Sequence, residues 1–228
     1  MDTPSFLLPR PIFNKTPEML TAFDKLFQST PAGAFIDYSL PFPKWQFLSH
    51  ICESNPFILH GSQNLKIGQV EPRQANDKRA FSNQYAIYAT TDGIWVLYFA
   101  ILDRNKYPEL TLFNSCFQAR KSSDQYSEPL YFFSITQSVL LQKPWCTGAI
   151  YILPRQSFIQ EPVQNIQGTE IIFPHWVSSQ SAQPIAKLLV EPDDFPFLEK
   201  IHGHNDEKLL QLITEDPNGF PWPDALES

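Results

Sequence analysis

Glycine is scarce, at 8 of 228 residues, and cysteine scarcer, at 3. Cys52, Cys116 and Cys146 are widely spaced, odd in number and form no C-x-x-C pair, which argues against a disulfide framework or a zinc ribbon. Basic residues are also few: 17 Lys and Arg face 24 acidic residues, leaving a net charge of −7. Their densest group, Arg73, Lys78 and Arg79, holds only three charges, so the basic footprint that nucleic acid demands is missing. A nucleotide-sized ligand needs only a few local donors and is not excluded. No apolar run approaches the roughly eighteen residues of a membrane-spanning helix, so no membrane segment is expected. The first ten residues lack a charged stretch followed by an apolar one; no secretory signal is expected, and the expected compartment is the cytoplasm.

Against these shortages stand 21 prolines, 19 phenylalanines and a hydrophobic content of 43%. Such a chain can bury a substantial core. Many prolines with few glycines suit stiffened connections between short elements, as in β-rich or α+β domains. Thr16-Pro17-Glu18 reads as a helix start, with Met19, Leu20, Phe23, Leu26 and Phe27 at helical spacing behind it. Trp45, Leu48, Ile51 and Cys52 fit one face of a second helix. Strands are expected at 57–59, 85–90, 110–117, 130–136, 147–153, 170–178 and 186–190, a buried helix over 94–102, and a helix capped by Asn205. Residues 63–84 read as a long polar loop, of the kind that is usually functional or mobile. The expected class is α+β, divided into an N-terminal helical or extended segment (1–44), a central domain (45–200), and a C-terminal helix with its tail (201–228).

Phe57-Ile58-Leu59-His60-Gly61-Ser62 is an apolar strand ending in His-Gly-Ser, and Ala86-Ile87-Tyr88-Ala89-Thr90 places a tyrosine 28 residues after His60. Trp95 to Phe99 follows as a helix, and His175 to Val190 brings Gln183 and Lys187-Leu188-Leu189 in the same order. This succession resembles the ADP-ribosyltransferase superfamily, in particular the catalytic domain of poly(ADP-ribose) polymerases and their bacterial relatives, over roughly residues 45–200. The resemblance implies two packed, mostly antiparallel sheets forming a cleft for NAD, with flanking helices. It implies NAD as substrate, held by His60, Gly61, Ser62, Tyr88, Trp95 and Phe99. His60 would bond ribose hydroxyls, Gly61 would let its backbone approach the carboxamide, and Tyr88 would stack on nicotinamide. A cytoplasmic transferase of bacterial type, passing ADP-ribose to an unknown protein or other macromolecule or cleaving NAD, is the implied activity.

His175 stands where the family carries a glutamate. A carboxylate there stabilises the oxocarbenium-like centre that forms as the nicotinamide bond breaks. Glu170 is five residues away, odd spacing that on one regular strand puts the two on opposite faces, and Glu161 has no spacing argument behind it. The exchange motivates an alternative on the same fold, a non-catalytic module that binds NAD, ADP-ribose or a protein. Processing of 2′-phosphorylated RNA ends is a third reading, against which the acidic charge speaks. His202-Gly203-His204 has no partner at metal-ligand spacing and reads as a solvated turn, and no Gly-x-Ser-x-Gly elbow is present.

Overall fold

The computed structural model describes residues 4–75, 80–122, 125–166, 168–217 and 219–227. Along the chain, β1 (Leu8–Pro9) precedes helices α1 (Pro17–Ser29) and α2 (Lys44–Ser54). Then β2 (Phe57–Ser62), β3 (Arg73–Gln74) and β4 (Tyr85–Thr90) lead into the short helix α3 (Trp95–Ala100). Strands β5 (Leu112–Ser122), β6 (Gln125–Tyr126) and β7 (Leu130–Thr136) follow, with one helical turn, α4 (Gln137–Leu140). Next come β8 (Gly148–Pro154), β9 (Ile159–Gln160), β10 (Gln164–Ile166), β11 (Thr169–Ile172), β12 (His175–Ser178) and β13 (Ala186–Val190). Strand β14 (His202–His204), helix α5 (Asp206–Glu215) and β15 (Leu226–Glu227) complete the order.

These elements build an α+β fold with two mostly antiparallel sheets. The first runs β10-β11-β5-β7-β14-β15, with β1 added on β7 and β6 on β5. The second runs β13-β8-β2-β4-β12-β9, with β3 added on β4. Among the described strand pairs, only β14 against β7 is parallel. Two of the helix starts follow from local chemistry: Thr16 accepts the Met19 N–H at 3.3 Å, and Asn205 accepts the Lys208 N–H at 3.0 Å. The N- and C-terminal segments feed the same body, since β1, β14 and β15 all pair into the first sheet.

The main core lies between the sheets. Leu59, Ile150 and Ile152 come from the second sheet and Tyr131, Phe133 and Ile135 from the first, with α2 and α3 among them. Helix α3 touches both. On one side, a Cβ at Gly61 would sit 2.5 Å from the Val96 carbonyl, and one at Gly148 would run into the Ala100 carbonyl. On the other, the Tyr98 hydroxyl donates to the Ser134 carbonyl at 2.9 Å. Asp92 holds its start: Oδ1 accepts the N–H groups of Ile94 and Trp95 at 2.9 and 2.7 Å, and Oδ2 accepts the Tyr131 hydroxyl at 2.8 Å. A buried carboxylate is tolerated there because three hydrogen bonds, at least one on each oxygen, satisfy it.

Two expectations need correction. Residues 170–178 are not one strand: Glu170 lies in β11 of the first sheet and His175 in β12 of the second. Phe173-Pro174 is the crossing, where proline lacks the N–H that a continuing ladder needs. His202-Gly203-His204 is a strand, not a solvated turn; His204 is buried, and its ring bonds Ser134 Oγ at 2.8 Å and Thr111 Oγ1 at 2.9 Å. Residues 63–84 are mostly loop, as expected, with a two-residue strand, β3, and a 3₁₀ turn at Ala80–Ser82 among the described residues. Residues 76–79 of that stretch, Lys78 and Arg79 included, lie outside the described residues.

Because α3 lies directly on β2 and β8, Gly148→Ala and Gly61→Ala are expected to lower stability by about 1–3 kcal/mol each. Urea midpoints of the two variants against the parent check this. An unchanged midpoint for both would contradict the close approach.

Candidate functional site

The alternation of β4 sorts its residues. Ile87 and Ala89 join a second apolar cluster with Ile58, Tyr151 and Leu153, on the face of the second sheet away from α3. Tyr88 therefore points to the α3 face. Strand β12 pairs antiparallel with β4, setting His175 opposite Thr90 and Val177 opposite Tyr88. The Tyr88 and His175 rings stack with centroids 5.7 Å apart and planes 25° from parallel. Trp95 meets His175 edge-on at 5.8 Å, and Phe99 lies 5.8 Å beyond Trp95. Phe81 closes the remaining edge of the His175 ring at 5.3 Å.

His60 reaches this group through the backbone. Strands β2 and β4 share a single register pair, Leu59 with Thr90. Past it, His60 Nδ1 bonds the Tyr88 carbonyl at 2.8 Å. A carbonyl only accepts, so Nδ1 carries the proton and Nε2 is left as an acceptor. The His60 ring itself lies 6.4 Å from Tyr151, its cross-strand partner, on the face opposite Tyr88. Gly61 turns its Cβ direction to α3, so its missing side chain serves helix packing. Ser62 Oγ accepts the Asn64 N–H at 3.1 Å. Of the seven residues singled out from the sequence, Tyr88, Trp95, Phe99 and His175 thus form one aromatic group. His60 is tied to its edge, and Gly61 and Ser62 continue β2 beyond it.

A carboxylate stands against His175 from the neighbouring strand. Glu161, just past β9, is buried, and its Oε2 accepts the proton of His175 Nδ1 at 2.9 Å. The backbone N–H of Glu161 donates to the His175 carbonyl at 2.8 Å, and Gln164 Nε2 donates to the second carboxylate oxygen at 2.5 Å. His175 Nε2 makes no hydrogen bond among the described residues. The arrangement is an imidazole oriented from behind by a carboxylate, its ring buried among Tyr88, Trp95 and Phe81. Glu170 has no part in it, being paired with Arg120 Nε at 2.5 Å on the first sheet. Sequence spacing could not reveal Glu161, because its neighbour is chosen by the β9–β12 register.

Rival chemistries are weaker. Ser134, His204 and Asp206 stand in hydrogen-bond succession, but Ser134 is fully buried, so the group ties β7, β14 and α5 together without reaching a substrate. Burial pushes the Cys52 and Cys116 thiols far up and Cys146 up to about 11, which keeps them protonated. Among the described residues no group of His, Cys, Asp and Glu could hold a metal ion, and no helix is long and apolar enough to cross a membrane. No protein-family model, curated protein or solved structure matches the chain.

Burial lowers the pKa of His60, His202 and His204. Each is more readily protonated unfolded than folded. Their contribution to stability is therefore complete above the unfolded value of about 6.5 and is lost as pH falls below it. Urea midpoints should decline from about pH 7.5 to about pH 5.5, and His60→Gln, which keeps a donor for the Tyr88 carbonyl, should flatten the slope. A midpoint independent of pH over that window would contradict the burial of these rings.

Proposed function

We infer that the chain is an NAD-binding protein of ADP-ribosyltransferase type, transferring ADP-ribose to an acceptor or cleaving NAD, with the Tyr88–His175 group as its reacting end. The observation that carries this reading is the Glu161 carboxylate behind His175, beside a tyrosine and a tryptophan. It returns to the site the negative charge that the sequence withholds. With the imidazole neutral, the His175–Glu161 pair carries one net negative charge facing the oxocarbenium-like ribose carbon. His175 Nε2 then takes the proton of the attacking hydroxyl or water. The C1′–oxygen bond forms as the C1′–nitrogen bond breaks, and nicotinamide leaves neutral with the electron pair. His60 supports this end through its bond to the Tyr88 carbonyl, its ring lying on the other face of the sheet.

The ring contacts at 5.3 and 5.7 Å leave no gap for a nicotinamide between Phe81, Tyr88 and His175. Substrate entry therefore requires Phe81 to leave the His175 edge, carrying the 3₁₀ turn Ala80–Ser82 with it. The second reading, a binding module that never turns NAD over, requires the same displacement.

Calorimetric titration of NAD into the parent and into Tyr88→Ala, followed by a nicotinamide-release assay, separates the readings. The expected result is binding that is lost in Tyr88→Ala and nicotinamide release that falls about 10²–10³-fold in Glu161→Gln and His175→Ala. Binding without release in the parent selects the module. No binding at all contradicts both.

A further inference from the structure

We propose a second ligand site, for a small organic anion bearing a carboxylate or phosphate, in a cavity of about 400 Å³ lined by Arg10, Arg155, Gln118, Gln160 and Trp176. None of His60, Tyr88, Trp95, Phe99 and His175 lines it, and Trp176 lies on the opposite face of β12 from His175. Its walls come from both sheets: Gln118 from β5 in one, Gln160 and Trp176 from β9 and β12 in the other.

The two arginines are anchored at the backbone and unspent at the side chain. Arg10 N–H donates to the Pro129 carbonyl at 3.1 Å and Arg155 N–H to the Pro56 carbonyl at 2.9 Å. Neither guanidinium has a carboxylate or hydrogen-bond partner among the described residues, and Arg10 Nε is buried with none. Trp176 Nε1 is likewise buried and unpartnered. Aromatic rings fix how the guanidiniums lie: Arg10 sits 5.5 Å over Trp45 and 5.8 Å over Phe13, and Arg155 sits 5.4 Å over Trp176. Stacking holds the plane of the fork and leaves its N–H edges for an oxyanion. Unmatched buried donors are costly, and a bidentate carboxylate or phosphate supplies the missing bonds.

Two acids border the cavity without cancelling it. Glu53 is paired with Lys15 at 2.5 Å, and both oxygens of Asp92 are engaged by Ile94, Trp95 and Tyr131. Two free guanidiniums against the single charge of Asp92 leave a local positive excess in a chain of net charge −7. The volume exceeds what a bare oxyanion needs and falls in the range of small-molecule sites. With Trp176, Pro129 and Pro174 in its wall, the site suits an anion with an apolar body.

Titration calorimetry with phenylacetate and phenyl phosphate, and with 2-phenylethanol as the uncharged control, tests the proposal. At least one anion is expected to bind with Kd below about 1 mM and the alcohol not to bind. Arg155→Gln is expected to weaken anion binding about tenfold or more, with Arg155→Lys, which keeps charge without the fork, recovering only part. A preference for one anion identifies carboxylate or phosphate as the natural group. The proposal is overturned if neither anion binds the parent at about 10 mM, if the alcohol binds as well, or if folded Arg155→Gln binds unchanged. If that variant does not fold, the parent's choice between anion and alcohol decides alone.

Discussion

Helix α3 is only six residues long, yet its contact with both sheets sets the geometry of everything around it. Two glycines allow its backbone to lie on β2 and β8, where any side chain would collide with the Val96 and Ala100 carbonyls. Asp92 and Tyr98 then fasten it to the first sheet through Tyr131 and the Ser134 carbonyl. So short a helix has no stability of its own and exists because tertiary packing holds it. Trp95 and Phe99 ride on this helix, so their distance from His175 follows from how closely it seats. Fold and site therefore share one constraint, the thickness of the layer that α3 occupies.

At the site, charge and aromaticity are arranged by register. His175 has Tyr88 on its face, Trp95 and Phe81 at its edges and Glu161 behind its Nδ1. A carboxylate buried at that position is costly unless it is paired, and the imidazole and the Gln164 amide supply a bond to each of its oxygens. An imidazole oriented in this way can move a proton, which a carboxylate alone at position 175 would do differently. In the proposed reaction the two residues divide the work of a single glutamate between a charge and a base.

Local patterns carried much of the fold. The helix starts at Thr16 and Asn205 were legible because a cap and its helix lie within three residues of each other, and the sorting of Ile87 and Ala89 from Tyr88 followed from strand alternation. The fastening of chain to chain was not legible. Nothing in the order of residues announces that β9 lays Glu161 against His175, that Phe173-Pro174 moves the chain from one sheet to the other, or that residues 10 and 155 meet at one cavity. His202-Gly203-His204 was misread for the same reason: its parallel partner, β7, lies about seventy residues away, so its burial has no local sign. Gly61 looked like a ligand contact from its motif, and its Cβ direction instead faces a helix.

The central claim is that His175, protonated at Nδ1 and backed by Glu161, offers Nε2 to a bound nucleotide. Nitrogen-15 spectroscopy of the histidine side chains, with and without saturating NAD, tests it most directly. The account predicts an Nδ1–H tautomer for His175, disturbed in Glu161→Gln, and a shift of its Nε2 resonance when NAD is added. An Nε2–H tautomer, or a His175 signal that does not respond to saturating NAD, would contradict it.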